Sequence, residues 1–190
     1  MLTLISPPTI SPISRDEAKQ FLRVDGTDDD ALITTLVDAA VAGLDGERGE
    51  LGRALLAQTW RLERDCFPRG ALELPLPPTI SVDAVSYVDT TGAAVTMAPA
   101  DYVVTGAGSF GFARITPTSG CWPAGSSVSV TFRAGFGETA EDVPADLRAA
   151  ILSRVALAYG LRESAVITTA TIVDNPETAA TIARWRASWW

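Results

Sequence analysis

The chain has 190 residues, of which 47% are hydrophobic and 20% charged, enough for a buried core and too apolar for wholesale disorder. The length suits one domain, or one domain with an insertion and tails. A net charge of −8 and a pI near 4.5 argue against a protein that grips nucleic acid by neutralising phosphates.

Residues 1–13 read as an extended arm, because Pro7, Pro8 and Pro12 prevent a helix. Ser14 and Glu17 have the spacing of a capping box, with Ile13 and Ala18 as its hydrophobic staple, so a short helix is expected at about 15–23. Phe21 and Leu22 supply its small apolar face, and Gly26 follows its end. A second helix is expected at about 28–46. Asp28, Asp29 and Asp30 stand in its first turn, where negative charge meets the positive end of the helix dipole. Leu32, Ile33, Leu36, Val37, Ala40, Val41 and Leu44 form its stripe.

The hydrophobic period then changes from about 3.6 to 2. Thr59 to Arg64 alternates as a strand, and Pro68 to Pro78 reads as a short, proline-punctuated edge segment. Ser81 to Val88, Ala93 to Met97, Tyr102 to Thr105 and Phe110 to Thr116 are further strands, with a turn at Asp89–Gly92. Ser127 to Arg133 alternates most cleanly, with Val128, Val130 and Phe132 on one face. Residues 55–136 are thus expected to form an antiparallel β-rich insertion. A third helix, about 144–161, begins with Pro144 at its first position and carries Leu147, Ile151, Val155, Ala158 and Tyr159. In the tail, 164–190, Asn175-Pro176 starts a last helix on which Ile182, Trp185 and Trp189 share a face. The fold class expected is α+β: a small helical bundle, a β-rich insertion between its second and third main helices, and a C-terminal docking tail.

The residues offer little chemistry. There is no histidine, so the usual general base and the commonest zinc ligand are absent, and Lys19 is the single lysine. Gly106-Ala107-Gly108-Ser109-Phe110-Gly111 matches GxGxxG, but Phe112 to Ile115 continues as a strand where a nucleotide site needs a helix. Cys66 and Cys121 lack ligand spacing and read as two reduced, small hydrophobic side chains. No stretch is long and apolar enough to span a bilayer, and no secretory signal is evident. No catalytic, cofactor or metal site is expected, and no enzymatic activity.

The order of segments carries a resemblance. It comprises Ala18-Lys19-Gln20-Phe21-Leu22-Arg23-Val24-Asp25-Gly26 with Asp28-Asp29-Asp30-Ala31-Leu32-Ile33, then Gly52-Arg53-Ala54-Leu55-Leu56 with Gln58-Thr59-Trp60. Phe67-Pro68, Leu72-Glu73-Leu74-Pro75, Pro77-Pro78, Ser81-Val82, Val85-Ser86-Tyr87, Asp101-Tyr102 and Trp122-Pro123 follow. Val130-Thr131-Phe132-Arg133-Ala134-Gly135-Phe136-Gly137, Val143-Pro144, Leu147-Arg148 and Ala150-Ile151 complete it. Over about 15–163 the chain resembles the head–tail connector, or adaptor, proteins of long-tailed phages and of gene transfer agents built on the same plan.

The resemblance implies an adaptor domain over 14–163 and a structural place in the virion neck, with assembly in the bacterial cytoplasm. Copies would form a twelve-fold ring below the portal protein, with a tail-side stopper or head-closure protein beneath, extending a channel through which DNA passes without specific binding. An acidic lumen suits that passage, within the 8–10 Å over which salt leaves charge unscreened. A ring also needs heterologous contacts, for which the arm 1–13 and the β insertion are candidates.

Trp and Arg are enriched at interface hot spots. The tail residues Ile182, Arg184, Trp185, Arg186, Trp189 and Trp190 are therefore the candidate portal interface, with packing on their own domain as the alternative. If they dock, removal of 174–190 should leave a folded protein that no longer binds portal. Two other functions compete: a head-closure or tail-completion protein one layer lower, and a soluble bacterial binding or enzymatic domain.

Overall fold

The computed structural model describes residues 1–161 and 175–187. Its strands are β1 (Leu2–Ser6), β2 (Gln58–Arg64), β3 (Leu72–Glu73), β4 (Thr79–Asp89), β5 (Ala94–Thr96), β6 (Tyr102–Thr105), β7 (Arg114–Pro117) and β8 (Gly125–Ala134). Its helices are α1 (Arg15–Leu22), α2 (Asp30–Ala42), α3 (Ala145–Gly160) and α4 (Pro176–Trp185). The fold is α+β. One five-stranded sheet runs β1-β2-β8-β4-β5 and a three-stranded sheet runs β3-β7-β6, with antiparallel neighbours throughout.

The centre of the larger sheet is β8, and its alternation explains why. Val128, Val130, Phe132 and Ala134 are all buried, while β2 and β4 pair along its two edges. Leu62 pairs with Val130 and Trp60 with Phe132, so the apolar faces of neighbouring strands stay in register. With Leu72, Leu74, Leu76, Val85 and Ile115 they form a β core. Residues 2–6 of the proline-rich arm are strand β1, held along the outer edge of β2.

A second core lies among the helices and holds Ile13, Ala18, Ile33, Val37, Leu44, Leu51, Leu55, Leu56, Leu147, Ile151, Val155 and Ile182. The Ser14 hydroxyl accepts from the Glu17 amide at 3.1 Å, as the cap spacing predicts. Arg148 on α3 reaches Glu17 on α1 at 2.6 Å, a partly exposed ion pair that fixes orientation more than it adds stability.

Several expectations are corrected. The second helix runs 30–42, not 28–46: Asp29 is its N-cap, and Asp45 leaves the helix to accept from the Leu55 amide at 2.7 Å and the Gln58 side chain at 3.1 Å. Phe21 is half exposed, because Ala18 and Leu22 already fill the α1 face turned to the core. Leu32 and Ala158 also face solvent, and Leu152 is buried beside Ile151. Pro144 is the N-cap of α3, one place earlier than its expected position. The strand expected at Phe110–Thr116 begins only at Arg114, since Phe110 to Ala113 belong to a loop. Cys66 and Cys121 are free, but both are exposed and neither is a core residue.

Candidate interaction site around the C-terminal helix

The sequence of α4 sets its own start. Pro176 takes the first helical position, and the Asn175 side chain accepts from the Glu177 amide at 3.0 Å. Four residues apart, Thr178 and Ile182 face inward and are buried, while Ala179, Ala180 and Ala183 are exposed. Ile182 is 1% exposed and belongs to the helical core together with residues of α2 and α3.

The next turn is held by polar contacts. The Trp185 indole N–H donates to Asp146 Oδ2 at 2.8 Å, and Arg184 pairs with the same carboxylate. Burial alone would raise the Asp146 carboxyl, but hydrogen bonds from Trp185, Arg184 and the Leu147 amide hold it below its ordinary value. Arg186 reaches Glu50 Oε1 at 2.6 Å and the Glu50 carbonyl at 3.1 Å. The Ala187 amide donates to the Leu51 carbonyl at 2.8 Å. There Gly52 adopts φ +59, with the Ala187 carbonyl 3.5 Å from where a Cβ would sit.

Trp185 also ends an aromatic cluster. Its ring meets Phe110 at 5.3 Å and Phe136 at 5.6 Å between centroids, both edge-on, and the Phe110 and Phe136 rings lie 5.9 Å apart. Arg53, 8% exposed, sits 6.0 Å from the Trp185 ring centre. It donates through Nε to the Trp185 carbonyl and through Nη1 to the Phe110 carbonyl, the latter at 2.6 Å. Burial holds this guanidinium below its usual pKa, and the two carbonyls satisfy donors that would otherwise be costly to desolvate. Arg53 thus ties three distant pieces together: the loop before β2, the glycine-rich loop between β6 and β7, and the end of α4.

Of the six candidate interface residues, four come together here. Ile182 and Trp185 point into the domain, and Arg184 and Arg186 pair with acids on its surface. Trp189 and Trp190, like residues 164–174 of the tail, lie outside the described residues. Deleting 174–190 would remove a core side chain, so the expectation that such a truncation leaves the domain intact does not hold for Ile182. Sequence reasoning missed Arg53, Phe110, Phe136 and Asp146. The one available signal was Phe110, a large aromatic set among the glycines of 106–111.

The glycine-rich loop itself has positive φ at Gly106 and Gly108, and β7 follows it, so it lacks the helix N-terminus that would hold a phosphate. Among the described residues no three His, Cys, Asp or Glu side chains gather as a metal site, and no helix is long and apolar enough to cross a membrane.

The class these features define is an α+β module with its C-terminal helix packed, hydrogen-bonded and ion-paired onto its own domain. No family model matches the chain, and no curated protein matches it in sequence. Solved structures do. A chain from the neck of an empty GTA particle, computed with C6 symmetry, has TM-score 0.79 and 25% identity. A chain from the virion of a native gene transfer agent (GTA) particle has TM-score 0.78 and 26% identity, and one from the neck of a native GTA particle computed with C12 symmetry has 0.77 and 25%. In each case the match covers 100% of this chain and 97% of the other. Along its whole length the chain is therefore similar, in fold and in sequence, to neck chains of phage-like gene transfer agent particles, structural components of the virion.

Proposed function

We propose that the protein is the head–tail adaptor of a phage-like particle. Copies form a ring, twelve-fold in this reading, directly below the portal protein. The ring extends the DNA channel, and a tail-side stopper or head-closure protein binds beneath. The observation that carries the proposal is the end-to-end match to chains of GTA necks, one of them computed with C12 symmetry. The acidic composition supports it, since DNA must move through such a ring without adhering. The subunits are made and assembled in the bacterial cytoplasm.

In this reading the tail contacts the portal, and its candidate residues divide the labour. Ile182 and Trp185 anchor α4 to its own domain. Arg184, Arg186 and the terminal Trp189 and Trp190 are the groups presented to the partner. The test is a pulldown with the particle's portal, followed by electron microscopy of the complex. A ring coaxial with the portal, lost when Trp189 and Trp190 are both changed to alanine, supports the adaptor and the tail contact. A ring that binds a tail-side protein and not the portal assigns the chain one layer lower. A monomer that binds neither overturns the neck assignment.

A further inference from the structure

The larger sheet has two free edges, and they differ in shape. At one end lies β1, paired on one side only, with Leu4 and Ile5 exposed at 42% and 45% and Ile10 at 47% just beyond it. Among the described residues, four of the nine exposed large hydrophobics fall in residues 1–10. At the other end lies β5, likewise paired on one side. Beside it opens a cleft of about 590 Å³, lined in part by Tyr87, Val95, Met97 and Trp122. Its wall is stiff, because Phe67 stacks on Trp122 with centroids 4.5 Å apart and meets Tyr87 edge-on at 5.5 Å. Trp122 is further fixed by donating to the Gly70 carbonyl at 2.7 Å.

Charge marks the same two regions. Residues 1–14 contain no charged side chain, and residues 90–131 contain only Asp101 and Arg114, in a chain that is 20% charged. Copies that each carry −8 repel one another, so contact is favoured where the faces hold least charge; Asp101 is the one charged side chain lining the cleft. A closed ring requires two different, complementary surfaces on opposite sides of each subunit. The β1 edge and the cleft lie at opposite ends of the five-stranded sheet, separated by roughly 19 Å at about 4.8 Å per step.

We infer that β1 of one copy docks on the β5 side of the next, with Leu4 and Ile5 seated in the cleft at Tyr87, Val95, Met97 and Trp122. The occupant is a second copy of this chain, and the inference rests on the ring reading above. The contact also covers two strand edges that would otherwise leave backbone groups open to non-specific pairing.

Cys121 lines the cleft and supplies the probe. The full chain carrying Leu4→Cys or Ile5→Cys with Cys66→Ser is assembled on portal, oxidised, and run on a non-reducing gel. Microscopy of the same sample reports whether rings are present. The expected result is a ladder of multimers that disappears when Cys121→Ser is added. A second variant, Leu4→Asp with Ile5→Asp, alters only exposed side chains and is expected to remain folded by circular dichroism and to lose the ring. Rings without a ladder, or rings that survive the double Asp change, overturn the inference while leaving the ring reading intact. Absence of any ring from the unsubstituted protein on portal removes the ring reading itself, and the inference with it.

Discussion

Replacing Ile182 by alanine tests whether α4 is part of the folded domain or an independent tail. Ile182 is 1% exposed and sits in the helical core with residues of α2 and α3. The change removes three buried carbons, worth roughly 2.4 kcal/mol at ~0.8 kcal/mol each. A residual cavity adds to this where the walls cannot collapse, which makes about 3 kcal/mol the expected loss. In a domain of this size that corresponds to a fall in Tm of about 6–12 °C. The assay is thermal or urea unfolding, read with amide exchange in residues 176–185. Because Ile182 is the α4 side chain buried in the helical core, the α4 amides should exchange faster in the variant even at temperatures where the sheet stays protected. An unchanged Tm together with unchanged exchange would refute the packing argument, and with it the claim that Ile182 serves as an anchor.

Three further outcomes follow from the same geometry. The Asp146 carboxyl is held below its ordinary pKa in the folded state, so its contribution is complete above the unfolded value and is lost as pH falls through the lowered folded value. Acid titration should therefore loosen α4 in the parent protein more than in Asp146→Asn, and parallel pH profiles of exchange in α4 would contradict this. Asp45→Ala strands the Leu55 amide and the Gln58 side-chain amide at a partly buried corner, at a cost of about 1–3 kcal/mol in urea unfolding. Asp45→Asn, which keeps one acceptor, should cost less than the alanine change. Gly135 has φ +136 and its missing Cβ would lie 2.4 Å from the Leu56 backbone, so Gly135→Ala should yield little soluble protein; normal expression with an unchanged Tm would count against that close approach.

Much of this protein was legible without coordinates. Ser14 and Glu17 specify the start of α1 by local hydrogen bonding, and the alternation of Val128, Val130 and Phe132 specifies both a strand and its buried face. The antiparallel β insertion and the helix starting at Asn175-Pro176 follow from the same short-range rules. The lack of histidine excluded the commonest chemistry before any fold was known. These are properties of neighbours in sequence, where spacing alone decides which groups can meet.

The tertiary structure decided what the tail does within its own subunit. Periodicity put Ile182 and Trp185 on one face of a helix, but a face can turn toward a partner or toward its own domain, and nothing local distinguishes the two. The partners that receive Trp185 are Arg53, Phe110, Phe136 and Asp146, the farthest separated from it by 132 positions in the chain. Their meeting depends on how the glycine-rich loop, the loop before β2 and the start of α3 converge, which is a consequence of the whole fold. The same holds for the sheet. Residues 2–6 read only as extended, because a strand's pairing partner is chosen by which edge is open, and that edge is created by β2 and β8 more than fifty residues later.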